Sequence, residues 1–149
     1  MTYRILFVCL GNICRSPSAE GVVRAMAEQR GVDVELDSAG TGRWHIGEPP
    51  YAPMQAAARA RGYDLSELRG RQVSRGDFAA FDLIVAMDGD NLRDLRAMQP
   101  KAGGAELRLF TDYAPQAGAD EIPDPYYTRD FDGTLDLVEV CARGLLDQL

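Results

Sequence analysis

The chain has 149 residues, 46% of them hydrophobic, with 23 acidic against 16 basic side chains and a formal net charge of −7. That length makes one ordinary domain, and that apolar content can bury a core without disulfides or structural metal. A net-acidic chain excludes general binding to nucleic acid or anionic membrane, so any anion it takes must be held by local geometry against the overall field.

Tyr3 to Cys9 is a short apolar, β-rich run of the kind expected for a buried parallel strand. No apolar run approaches the roughly 20 residues of a membrane span, and Ile5-Leu6-Phe7-Val8 is too short for a signal-peptide core. Three cysteines, an odd number without framework spacing, suit a reducing compartment, and the expected location is cytoplasmic.

Gly11 to Arg15 reads as loop, with Ser16 as N-cap and Pro17 as the first helical residue. Val22, Val23, Met26 and Ala27 share one face of the helix, and Gly31 ends it. Val32 to Ala39 reads as a second strand, and Gly40 to Pro53 as a long loop holding Arg43, Trp44, His45 and Tyr51. A helix follows around Met54, Ala57 and Ala58, stopped near Gly62. Phe81 to Met87 is a third strand, and Asp88 to Met98 a helix with Leu92 and Leu95 inward. Leu107 to Phe110 is a short fourth strand, Thr111 to Asp132 an irregular loop, and Thr134 to Leu149 a final helix with Leu135, Val138, Leu145, Leu146 and Leu149 along its apolar stripe.

Strands alternating with helices predict one α/β domain over residues 1–149: a four-stranded parallel sheet, order 2-1-3-4, with helices on both faces. Ligands in such folds sit outside the carboxyl ends of the strands. The segment between the first strand and the first helix lies there, and it holds Cys9, Gly11, Asn12, Cys14 and Arg15. Gly11 and Asn12 both tolerate positive φ, so the loop can turn successive N–H groups inward as an anion nest. A helix N-terminus behind it adds positive potential, and Arg15 adds a planar fork matching phosphate oxygens. Such surroundings lower a thiol pKa from about 8.5 toward ~3.5–7.5, making Cys9 a nucleophile beneath a phosphate-shaped cradle. A leaving oxygen needs a proton donor. Asp112, Asp120, Glu121, Asp124, Asp130 and Asp132 are all in or near one loop; Pro123 and Pro125 stiffen the backbone around Asp124 and favour it slightly.

The run Val8-Cys9-Leu10-Gly11-Asn12-Ile13-Cys14-Arg15-Ser16-Pro17, with Ala19-Glu20, resembles the signature of low-molecular-weight protein tyrosine phosphatases. Four further stretches match in order: Asp37 to Thr41, Trp44 to Pro50, Phe81-Asp82 through Met87-Asp88 with Asn91-Leu92, and Asp124-Pro125-Tyr126-Tyr127. The resemblance implies hydrolysis of protein phosphotyrosine through a phosphocysteine at Cys9. Arg15 would clamp the phosphate and Asp124 would serve as general acid and then base, with no metal or cofactor. It implies a phosphate-binding loop of Leu10, Gly11, Asn12, Ile13, Cys14, Arg15 and Ser16, shaped by Asn12, Ser16 and Ser38. Trp44, Tyr126 and Tyr127 become cleft walls, and Trp44 resembles the eukaryotic-type branch. It further implies a reversible Cys9–Cys14 bridge, phosphorylation of Tyr126 or Tyr127, and a tyrosine-phosphorylated protein substrate with a tyrosine kinase as partner. The expected state is a monomer, with at most weak dimerisation through the aromatic rim.

Relatives often carry a His shortly before the Arg71-Gln72 position; here the run Leu65 to Gln72 has none, so support around Ser16 is expected to differ. Cys141 reads as inert core. The only His, His45, reads as cleft rim, and Cys9, Cys14, Cys141 and His45 lack zinc-site spacing. A thioredoxin-coupled arsenate reductase would need resolving cysteines between residues 60 and 100, where none occurs. An idle phosphotyrosine-binding module has no use for Cys9, Arg15 and Asp124 together.

Overall fold

The computed structural model describes residues 2–149. Its sheet has four parallel strands, β1 (Tyr3–Cys9), β2 (Val34–Gly40), β3 (Leu83–Ala86) and β4 (Glu106–Leu109), in the order β2-β1-β3-β4. This is the predicted order. Central β1 shows why it forms: Ile5, Phe7 and Cys9 project into one core layer and Leu6 and Val8 into the other, all but Cys9 fully buried.

The first layer is covered by α1 (Arg15–Arg30), α2 (Ala52–Ala60) and α6 (Phe131–Asp147). Phe7 meets Phe110 there with ring centroids 5.5 Å apart, a tilted contact that adds about 1 kcal/mol to the burial of the two rings. The opposite layer is covered by α3 (Asp77–Ala80) and α4 (Gly89–Met98), which contribute Phe78 and Leu95. A further short helix, α5 (Pro125–Thr128), lies beside the carboxyl end of the sheet.

Several boundaries differ from expectation. β2 starts at Val34, leaving Val32 as packing outside the strand; its N–H caps α1 by donating to Ala27 O at 2.9 Å. Gly31 ends α1 at φ 68°, as its type predicts. Phe110 leaves the fourth strand to open a 3₁₀ turn, Phe110–Tyr113. The final helix begins at Phe131, because the Asp130 carboxylate accepts from Gly133 N at 2.9 Å and caps it. Leu149 lies beyond that helix and is exposed. The expected irregular segment 111–132 contains two 3₁₀ turns and α5.

The start of α1 is the most consequential difference. The helix begins at Arg15, two residues before Pro17, and Ser16 is not its cap. Cys14 occupies the N-cap position and provides no side-chain hydrogen bond. The Ser16 hydroxyl is engaged elsewhere, on Cys9 and Asn12.

Candidate active site

Cys9 ends β1 in register with Gly40, the last residue of β2. The chain then turns through residues 10–14, with Asn12 at φ 58° in the left-handed region that Asn tolerates. The neighbouring strand clamps this loop: Thr41 N–H donates to Cys9 O and Gly42 N–H to Leu10 O, both at 2.9 Å. Gly40 is required by that approach, since a β-carbon there would sit 2.7 Å from Leu10 O.

The loop's inward face is unpaired. Among the described residues, no hydrogen bond within the protein uses the N–H groups of Gly11, Ile13, Cys14, Arg15 or Ser16. These converge at the N-terminus of a 16-residue helix with no acidic side chain in its first turn. Unpaired donors plus the helix dipole make an anion site in a protein of opposite global sign.

Beneath the loop, side chains fix hydrogen-bond direction. Arg71 N–H donates to Asn12 Oδ1 at 3.0 Å, which sets the amide orientation. Asn12 Nδ2 then donates to Ser16 Oγ at 2.8 Å and to Ser38 Oγ at 3.0 Å. Ser16 Oγ therefore accepts from Asn12, and its one proton faces Cys9 Sγ, 3.0 Å away, with Ala39 O a longer acceptor at 3.4 Å. Asn12 N–H also donates to Cys9 Sγ, at 3.2 Å. Two donors thus converge on the sulfur. The Arg71 side chain is itself held bidentately by Asp77 and by Asp37, at 3.0–3.1 Å. Leu68 packs against the main core, and Ser16 is held by Asn12, whose amide the Arg71 backbone orients.

Behind Ser38 lies Glu20, a buried carboxylate that the sequence reading did not single out. Burial pushes its pKa up, partly offset by hydrogen bonds from Arg24 and the Ser38 hydroxyl. Arg24 reaches it at 2.7 Å across one helical turn.

Arg15 is buried to its guanidinium and is gripped from two other segments. Nη1 donates to Asp88 Oδ2 at 2.7 Å and to Ile122 O at 2.9 Å, and Nη2 to Asp124 Oδ2 at 3.5 Å. Those bonds engage three of its five N–H groups, leaving Nε–H and one Nη2–H, the pair a bidentate phosphate contact needs. Burial alone would lower the Arg15 pKa. The charge at Cys9, the bond to Asp88 and the charges of Asp124 and Asp88 outweigh it, so the net shift is upward. Asp88 caps α4 with its other oxygen, accepting from Asn91 N at 2.8 Å. Ile122 N–H donates to Met87 O at 2.8 Å and fastens the 120s loop to the end of β3. Asp88 was legible only as part of a motif; its position directly after a parallel strand was the available signal.

A cavity of about 280 Å³ opens above this floor. Cys9, Leu10, Gly11, Ile13, Cys14 and Arg15 line its base, with Asp124 at one side and Trp44, His45, Tyr126 and Tyr127 as walls. Every predicted catalytic and cleft residue is therefore at one cavity. Asn12 and Ser16, expected in the phosphate-binding set, do not line it; their side chains lie behind it, with Ser38. Asp124 caps α5 by accepting from Tyr126 N at 3.1 Å, which leaves Oδ2 beside Arg15. Trp44 packs so close to Gly42 that a β-carbon there would come within 1.9 Å of its ring, yet 68% of Trp44 is exposed. Trp44 is thus an exposed ring, rooted on Gly42, at the edge of the cavity. His45 bonds Glu48 through Nδ1.

Cys9 and Cys14 are both free and buried. Burial, the charge at Cys9 and Asp124 push the Cys14 thiol up to about 12, with Arg15 and Arg129 opposing. Cys141 lies in the core, lifted to about 12 by burial alone, as its sequence position suggested. Among the described residues, no helix is long and apolar enough to cross a membrane.

Comparison with known proteins bears on this geometry. The family model described as low molecular weight phosphotyrosine protein phosphatase matches residues 4–149. A low molecular weight protein-tyrosine-phosphatase of Streptomyces coelicolor is 47% identical over 98% of this chain and 93% of its own. One from Schizosaccharomyces pombe is 41% identical over 83% of this chain and 81% of its own. The crystal structure of YfkJ from Bacillus subtilis superposes with a TM-score of 0.94 at 39% identity, covering 99% of this chain and 94% of that one. The chain belongs to the low molecular weight phosphotyrosine protein phosphatase family, whose members hydrolyse phosphotyrosine through a cysteine.

Proposed function

We propose that Cys9, Arg15 and Asp124 perform this hydrolysis here, without a metal ion. The observation that carries the reading is the double donation onto Cys9 Sγ, from Asn12 N–H and Ser16, at the base of a cavity where Arg15 and Asp124 meet. In the first step the Cys9 thiolate attacks phosphorus, the bond to the tyrosine oxygen breaks, and Asp124 gives that oxygen its proton. In the second, water attacks the phosphocysteine, Asp124 takes the water proton, and the thiolate leaves. The free Arg15 donors and the loop N–H groups stabilise the equatorial oxygens throughout. Gly11, Ile13, Cys14 and Ser16 act through those N–H groups and Leu10 as floor, while Asn12, Ser16 and Ser38 hold the loop's shape.

The substrate is a tyrosine-phosphorylated protein, its ring lying between Trp44 and the Tyr126–Tyr127 edge, and a tyrosine kinase supplies it. The site is complete within one chain, which supports a monomer acting as one domain over residues 1–149. The three free cysteines support a reducing, cytoplasmic setting. Adjacent Cys14 supports a protective bridge: peroxide converts Cys9 to the sulfenic acid, and the Cys14 thiol displaces water from it to give the disulfide. Tyr126 and Tyr127, both exposed, are open to phosphorylation.

The test is hydrolysis of an aryl phosphate in EDTA and reductant. Cys9→Ser should abolish turnover, Asp124→Ala should lower kcat about 10²–10⁴-fold, and Cys14→Ser should retain most activity. Wild-type protein inactive in EDTA, or a fully active Cys9→Ser, would overturn the reading.

A further inference from the structure

Among the described residues, two other than glycine adopt positive φ: Asn12, whose role is described above, and Arg129 at φ 63°. Arginine rarely adopts that conformation, so something holds it there. Its guanidinium carbon lies 5.3 Å from the centroid of Tyr51 and 5.1 Å from that of Phe131. Nη1 donates to Tyr51 Oη at 3.1 Å and to Tyr126 O at 3.4 Å. Nε and Nη2 are left without a protein acceptor, and among the described residues no carboxylate lies within 4.0 Å of the group. The nearest acid in sequence, Asp130, is turned away to cap α6. A cation fixed by two rings in an acidic chain, yet unpaired, is preorganised for an external anion.

Its location says which anion. Tyr126 is a cavity wall, and Tyr51 stacks on it with centroids 5.3 Å apart. Arg129 is thus one ring beyond the wall, at the mouth rather than the floor. Its charge is felt inside: burial lifts the Cys14 thiol, and Arg15 and Arg129 oppose that rise. A peptide leaving the cavity advances about 3.3–3.6 Å per extended residue, so a near neighbour of the phosphotyrosine passes this point.

We propose that Arg129 is a specificity-determining residue whose guanidinium, seated on Tyr51 and Phe131, pairs with a carboxylate side chain within about three residues of the substrate's phosphotyrosine. This rests on the phosphotyrosine reading above. It concerns peptide choice and leaves the chemical step with Cys9, Arg15 and Asp124.

The experiment uses phosphotyrosine peptides with an all-Ala flank and with one Glu walked from three residues before to three after. The kcat/KM of each is measured on wild type, Arg129→Asn and Arg129→Lys. Asn tolerates the left-handed backbone, so the first variant removes the cation without new strain. Wild type should favour at least one Glu peptide about three- to tenfold over the Ala peptide, the span expected of an exposed to half-desolvated charged contact. The preference should shrink in high salt, fall to near one in Arg129→Asn and survive in part in Arg129→Lys. No preference in wild type, or an unchanged one in Arg129→Asn, overturns the proposal. Failure of the phosphotyrosine reading is distinguishable, because wild type would then turn over no peptide and no aryl phosphate.

Discussion

Asp88 performs two jobs with two oxygens, and separating them tests how the site is held. Oδ2 meets Arg15 Nη1 at 2.7 Å, and Oδ1 caps α4 through Asn91 N at 2.8 Å. The Arg15 side chain is only 2% exposed and that of Asp88 18%, so the pair is mostly desolvated. Asp88→Asn keeps the shape but supplies one acceptor and one donor. It can cap the helix or receive Arg15, not both, and it removes the charge. Breaking one side of a fully buried pair costs about 3–5 kcal/mol. Because Asp88 is partly hydrated and Ile122 O still holds Nη1, about 2–3 kcal/mol is expected for Asp88→Asn. Asp88→Ala loses the cap as well, worth about 1 kcal/mol more.

Urea unfolding at pH 7 measures both, with midpoints compared at constant m-value. A third arm ties stability to function. Bound phosphate is an alternative counter-ion for Arg15, so saturating inorganic phosphate should stabilise Asp88→Asn more than wild type and narrow the gap between them. A loss under about 0.5 kcal/mol for Asp88→Asn, within the range of ordinary surface changes, would refute the idea that Arg15 depends on Asp88. Equal losses for Asn and Ala would refute the division of labour, and a gap unmoved by phosphate would refute the exchange of counter-ions.

Cys14 and Cys141, both lifted to about 12, are neutral thiols at pH 7–8. A short exposure of native protein to iodoacetamide should leave both unmodified in peptide mass mapping, and labelling of either at a free-thiol rate would contradict their placement. Gly144→Ala would put a β-carbon 1.9 Å from Tyr113 O and force α6 away from the 110–113 turn. A loss of about 3 kcal/mol in urea is expected, and a neutral outcome would mean that the contact is looser than drawn. Glu20 has a raised pKa in the fold, so folding favours its protonated form. That contribution is fully present below the ordinary carboxylate value and is lost as pH rises through the folded one. The stability of wild type relative to Glu20→Gln should therefore fall over that window in pH-dependent thermal melts, and a rise would show that Arg24 and Ser38 dominate.

The readable features were those set by local pattern. The apolar run of β1, the Gly31 terminus and the spacing of Cys9 and Arg15 are all short-range signals, and each holds in the structure. Misreadings came where tertiary demand overrode propensity. Ser16-Pro17 has the composition of a helix start, but the helix starts at Arg15 because the loop must bring Ser16 Oγ to Cys9. Asp124 stood out only slightly from its neighbours, because what separates it from Asp120 or Asp130 is a long-range contact. Its Oδ2 reaches Arg15, 109 residues away in sequence. Glu20, Asp88 and Arg129 were illegible as roles for the same reason, since each is defined by a partner brought by another part of the fold.

An acidic protein that binds a dianion must solve a local problem, and Arg15 shows how. In the free site its charge is answered by Asp88 and faces Asp124 at 3.5 Å, so the cavity floor is not a bare cation. Phosphate must then be attracted by what those carboxylates leave over: the loop N–H groups, the free Arg15 donors and the helix N-terminus, all fixed before the ligand arrives. Preorganised dipoles suit phosphoryl transfer, where charge spreads over three equatorial oxygens and little covalent work is asked of the protein. The same contact couples acid to clamp. In the proposed cycle Asp124 gives its proton to the leaving tyrosine oxygen and, as the carboxylate, is then the base for the water step. With Asp124 3.5 Å from Arg15, the proposed acid and clamp share one edge of the cavity, and if both roles hold, loss of either group should impair formation and hydrolysis of the phosphocysteine together.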